Sequence, residues 1–396
     1  MIRSFAPWHR YFALLVLALA APAYTPPPLM RTTLNPQSAQ TCLTCHVDIT
    51  QQWGSSAHAQ ADRKLNLLFG RMYFASLQET RGATLVKCGP CHETEQYVTN
   101  DFDKVRPVSE EGITCVFCHG ISGPGPTDAV PPVTLELGPY FGPIRNPVPV
   151  KDHASKYSEH FTKSAFCGSC HQYENQNGIL ISDTFGEWKR SKYAKAGVTC
   201  QSCHMPGSPG RVSSLGPARP RVADHSFHGP DKNRALQGAA TLVLKLGKRG
   251  TENLRVLAVV TNVGAGHAIP TGNDQHLLLI RVRATDTEGH ILWENDPFRD
   301  SSGSIFGLIL ANDLGAYPAE TWAAAKVVAD RRIQTGSSAQ AAYEIPVGEA
   351  KGAVKIDAVL LYRKARPETI QLYNLPEDVY GAERRVAQAT LTVQNP

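Results

Sequence analysis

All ten cysteines of this 396-residue chain fall in five Cys-x-x-Cys-His units, and none is left over. The units are Cys42–Cys45–His46, Cys88–Cys91–His92, Cys115–Cys118–His119, Cys167–Cys170–His171 and Cys200–Cys203–His204. Cys-x-x-Cys-His is the attachment signature of c-type haem. Two thiols one helical turn apart each add to a vinyl group, and the adjoining histidine is held under the iron as its fifth ligand. Paired cysteines also bind zinc or form redox-active disulfides. Neither use requires histidine after the second cysteine, yet here it follows all five times. The expectation is five covalently attached haem c groups, with His46, His92, His119, His171 and His204 as proximal ligands. A chain built this way folds around large rigid prosthetic groups rather than around side chains alone.

The first residues read as an export signal. Arg3 and Arg10 give a positive start, Tyr11 to Leu19 an apolar run, and Ala21-Pro22-Ala23 a small-residue cleavage site before Tyr24. That run is too short to span a bilayer, and no later segment replaces it. The expected location is therefore periplasmic, extracellular or at the cell surface, with no membrane span once the signal is removed. The formal net charge of +5 is weak and scattered, which argues against nucleic acid. Two of those charges lie in the leader, and five haems bring about ten propionates, which turns the mature protein acidic.

The texture of the chain divides it at about residue 238, giving a leader over 1–23, a haem domain over 24–237 and a β-domain over 238–396. The haem domain has two Pro/Gly-rich stretches, from Gly120 to Pro149 and from Pro206 to Pro230, and such stretches rarely form regular structure. It reads as loops and short α-helices around stacked haems. Leu65, Leu68, Phe69 and Met72 recur at helical spacing, which predicts an amphipathic helix over Asp62–Glu79. Beyond the boundary the expected strands are Thr241–Leu246, Leu254–Asn262, His276–Thr285, His290–Glu294, Ala341–Ile345, Val354–Arg363 and Val386–Val393. Asp286-Thr287-Glu288-Gly289 is the expected hairpin turn. Seven short strands without cysteine suggest an all-β immunoglobulin-like sandwich, interrupted by a partly helical insertion between Ile305 and Val328.

The sixth ligand of each iron separates a relay from a catalyst. Apart from His9 in the leader and the five proximal residues, the histidines are His58, His153, His160, His225, His228, His267, His276 and His290. Methionine is scarce, and Met205 directly follows His204, so bis-histidine ligation is expected at most sites. His58 lies close after His46. His153 and His160 precede the fourth unit in a segment that reads helical. His225 closes the haem region. His267 sits at the tip of Gly264-Ala265-Gly266-His267-Ala268-Ile269-Pro270-Thr271-Gly272, from which it could reach a haem of its own or of another subunit. These five are the distal candidates. His228 is a weaker one, and His276 and His290 are read as ordinary surface or hydrogen-bonded residues.

Several segments resemble the cytochrome c-554 family of multihaem electron carriers. They are the first unit followed by Trp53…Ser56-Ala57-His58-Ala59, Phe166 through Gln172 after upstream histidines, and Cys203-His204-Met205-Pro206 followed by an Asp-His pair. The His267 loop and Asp330-Arg331-Arg332-Ile333 look like the β-domain appended to outer-surface relatives. The resemblance implies stacked haems, bis-His ligation and electron transfer to redox partner proteins or other cytochromes. Some relatives polymerise into extracellular filaments in which one subunit donates a histidine to the next, which makes a homopolymer a further expectation. Many carriers of this kind have four haems, whereas this chain has five units. The competing expectation is a multihaem oxidoreductase with one open iron, acting on a small nitrogen or sulfur compound. A third treats the β-domain as a docking module.

Overall fold

The computed structural model describes residues 38–394 apart from 128, 137, 231 and 232. The expected leader lies outside these residues. Regular structure in the cysteine-bearing half is short and local. The helices that matter for the site are α1 (Val47–Gly54), α2 (Leu67–Glu79), α3 (Thr84–His92), α4 (Cys115–Gly120), α5 (Thr184–Arg190) and α6 (Cys200–His204). Three of them carry attachment units, so both thiols and the histidine are set by one helical turn. Local caps begin two of these. The Thr114 side chain accepts from the Phe117 amide at the start of α4, and Thr199 forms a capping box with Ser202 at the start of α6.

The helix expected over Asp62–Glu79 begins only at Leu67. Asn66 takes the N-cap and its side chain accepts from the Phe69 amide at 3.1 Å. Asp62 bonds the Lys64 amide and pairs with Lys104, which folds the preceding residues into a turn. The segment holding His153 and His160 is not helical either. Ala154–Tyr157 pairs as a parallel strand with Pro139–Gly142, and a single 3-10 turn follows, capped by Ser158. The pairing with a distant strand supplied the backbone partners that local pattern could not show.

The other half is built of β1 (Ala240–Arg249), β2 (Asn253–Asn262), β3 (Leu277–Thr285), β4 (Ile291–Glu294), β5 (Ile305–Phe306), β6 (Leu308–Ala311), β7 (Lys326–Asp330), β8 (Ser338–Pro346), β9 (Val354–Arg363) and β10 (Arg384–Val393). One antiparallel sheet runs β8-β2-β1. The second runs β4-β3-β9-β10, with β5 also on β3. Burial alternates along β2 and β9, as a pleated strand with one face inward requires. Val256, Val260, Tyr343 and Ile345 from the first sheet share a core with Ile280, Ile356 and Leu360 from the second. The two sheets thus form a sandwich. The insertion after Ile305 contains the β6–β7 pair rather than a helix. Its apolar residues Leu308 and Leu310 are buried with Ile181 of the cysteine-bearing half, so contact with another region stabilises the extended form.

The halves pack on each other at several points. Leu68 of α2 is buried with Ala365, Ile370 and Leu375, and Trp322 Nε1 donates to Glu79 at 2.6 Å. Among the described residues no helix is long and apolar enough to cross a membrane.

Candidate metal centres

Three proximal histidines are held by backbone carbonyls. His46 Nδ1 donates to Val212, His119 Nδ1 to Phe141 at 2.6 Å, and His204 Nδ1 to His228. A proton fixed on Nδ1 leaves Nε2 as the bare metal-binding nitrogen and sets the ring orientation. Two of the distal candidates are prepared in the same way. His225 Nδ1 donates to Ala223 at 2.9 Å and His267 Nδ1 to Ala268 at 2.8 Å.

The rings come together in pairs. His46 faces His153 at 6.3 Å between centroids, His58 faces His171 at 6.0 Å, His119 faces His225 at 6.4 Å and His204 faces His267 at 6.2 Å. Metal–nitrogen bonds of about 2.0 Å, plus the roughly 1.1 Å from nitrogen to ring centre, place the centroids of two trans imidazoles about 6 Å apart. Each gap would admit one metal ion held between two imidazoles. Burial lowers the pKa of five of these rings: His58 falls to about 3, helped by neighbouring histidines, His119 and His267 fall to about 4, and His171 and His225 are lowered as well. The neutral imidazole is the form that binds metal. Among the described residues no three His, Cys, Asp or Glu side chains converge on a common point, so the thiol pairs do not close into zinc clusters. The residues present fit haem.

His58, His153, His225 and His267 each stand opposite one proximal ring. His160 does not. It lies on the 3-10 turn beside Phe166 at 5.5 Å, with its Nε2 buried and unpartnered. His228 meets His204 through its backbone, its carbonyl accepting from the His204 ring and its amide donating to the His204 carbonyl at 3.0 Å, while its own ring pairs with Asp224 at 2.8 Å. His276 is hydrogen-bonded to the Thr271 carbonyl and His290 to Asp286.

The second unit differs from the others. His92 is half-buried, and the ring stacked on it is Phe69, at 4.1 Å and 13°. No imidazole faces it at pair distance among the described residues. Its Nδ1 lies near the Ala61 carbonyl without a well-formed hydrogen bond. Next to it, Glu93 is fully buried and paired with Arg63 and Lys104.

Thiol contacts order the units in space. Cys42 meets Cys115, Cys91 meets Cys170 and Cys167 meets Cys200. Cys118 also lies near Cys170. Unit three is thus beside unit one, and unit four touches units two, three and five. Phe227 sits edge-on to His58 at 4.2 Å and to His225 at 6.0 Å, between the distal sides of units four and three. Nothing in the sequence singled out Phe227 beyond its place between two histidines.

Fold, attachment units and paired rings define a multihaem c-type cytochrome. The family described as cytochrome c554 and c-prime matches residues 41–120, which hold the first three units. A penta-heme cytochrome c552 from Thermochromatium tepidum superposes with a TM-score of 0.72 at 24% identity, covering 90% of this chain and 99% of that one. A β-glucosidase from Kluyveromyces marxianus and β-glucosidase 3B from Thermotoga neapolitana overlap 39% of the chain at TM-scores of 0.16 and 0.15, too low to bear on fold or function. No curated protein matches the chain.

Proposed function

We propose that this protein is an exported pentahaem electron-transfer protein in which four irons are held by two imidazoles each. The four ring pairs carry this reading. The pairings are His46/His153, His171/His58, His119/His225 and His204/His267. Bound haem supplies a one-electron iron couple. The protein supplies ring orientation, a dry surround and close spacing between units. Paired imidazoles keep iron low-spin and at lower potential than His/Met ligation. The thiol contacts support a relay running from unit one through three to four, with branches to two and five. The layout is a leader over 1–23, a haem domain over 24–237 and a β-domain over 238–396, located in the periplasm or outside the cell. The strand orders β1-β2-β8 and β4-β3-β9-β10 support an immunoglobulin-like sandwich.

A second reading is favoured by one observation, the missing imidazole opposite His92. An iron open there could act on a small nitrogen or sulfur compound, which makes the protein an oxidoreductase fed by its own relay. One experiment weighs both. Electron paramagnetic resonance of the oxidised holoprotein should show four low-spin haems and one high-spin haem, and the reduced protein should bind a single CO per chain. Five low-spin haems with no CO binding would remove the enzyme reading. Two or more open irons would remove the pairing scheme.

A further inference from the structure

Unit five differs from the other paired units in drawing its facing imidazole from the β-rich half. We propose that Glu187 is the residue that positions this imidazole, acting through the amide next to it. The proposal rests on the reading of His267 as the sixth ligand of unit five. Glu187 lies on α5, in the cysteine-bearing half, and is 5% exposed. One of its oxygens, Oε2, accepts from the Ala268 amide at 3.0 Å and from the Thr271 hydroxyl at 2.9 Å. The other, Oε1, accepts from Arg332 at 2.7 Å. Ala268 is fully buried, and its carbonyl in turn accepts from His267 Nδ1 at 2.8 Å.

The histidine loop is therefore gripped from both sides. The β-rich half holds the His267 carbonyl through Asn262 Nδ2 at 2.8 Å and Thr335 Oγ1 at 3.2 Å. The cysteine-bearing half holds the very next amide through Glu187. Tyr193 Oη reaches the Val263 carbonyl at 3.1 Å, and Thr184 meets Thr271 at 2.8 Å. A buried carboxylate bonded to an amide and to a guanidinium forms stronger, more directional contacts than neutral groups do. Groups that orient a ligand are part of what makes a metal site. Docking of the two halves and occupation of the sixth position are thus one event, and Glu187 is where they meet. Arg332 belongs to the same clamp. It holds Asp330 as well as Glu187, which ties the loop to the end of β7.

The test uses the full holoprotein, with electron paramagnetic resonance and CO stoichiometry as readouts, and the H267A variant as reference. H267A should lose one low-spin signal and gain one CO per chain. If it does neither, the ligand assignment fails, independently of Glu187. With H267A behaving as expected, E187A should reproduce its spectrum while retaining all five haems, and the reduction potential of one haem should move. E187Q keeps an acceptor for the Ala268 amide and should restore the low-spin signal. E187A leaves the largely buried Arg332 with Asp330 as its one remaining carboxylate partner and is prone to misfold, so the double variant E187M/R332M is measured beside it. A complete low-spin complement in either folded variant, with H267A deficient, overturns the positioning role.

Discussion

A histidine serves as an iron ligand when its ring is neutral, oriented and aimed. Here burial secures the first condition and backbone carbonyls the second at most of the paired sites. Burial acts on acids in the opposite sense. Glu320, packed where the two halves meet, has its pKa pushed up to about 7, first by burial and then by Asp274 and Glu79, against a hydrogen bond with Tyr373. Its native pKa lies above its unfolded value, so its contribution to stability is complete below about pH 4.5 and is lost as pH rises through about 7, a difference of at most about 3 kcal/mol. Denaturant midpoints measured from pH 4.5 to 8 should fall for the wild-type protein and fall less for E320Q. Equal slopes would show that the carboxyl is well solvated. The attachment residues could be read from the sequence because each unit is five residues long. The surroundings of His160 could not, since they depend on a 3-10 turn whose neighbours lie far along the chain.

At the scale of elements, short helices survive here because caps and covalent units replace length. An isolated helix as short as α4 has no stability of its own in water. Thr114 offsets part of that deficit by capping Phe117 at 3.1 Å, while its hydroxyl also bonds Glu95. Replacing it with valine should cost about 1–2 kcal/mol, with serine restoring most of it, as measured by chemical denaturation of the holoprotein. No change with valine would place the helix under the control of its surroundings alone. Strands β2 and β9 were legible because their inward faces repeat every second residue, and β3 because it opens on a continuous apolar run. The insertion was misjudged as partly helical because its apolar residues cover Ile181 of the other half, a surface invisible to any local pattern.

For the whole molecule, the consequence lies in where His267 points. It faces His204 of its own chain at 6.2 Å, and on the proposed pairing this one of the two expected destinations, its own chain or another subunit, is filled within the chain. Sedimentation of the holoprotein should therefore report a single chain over micromolar concentrations, and electron microscopy should show particles rather than fibres. Assembly that depends on His267 would reverse this. What the sequence alone determined are the five Cys-x-x-Cys-His units and the change to β-structure near residue 238, since motif spacing and strand pattern are written in neighbouring residues. Tertiary structure alone decided which of the other histidines stands opposite which unit, that Phe69 rather than an imidazole stacks on His92, and that Glu187 bonds the loop of the other half. An iron accepts its sixth ligand from the face opposite the attachment site, and only the folded path of the chain determines what arrives there.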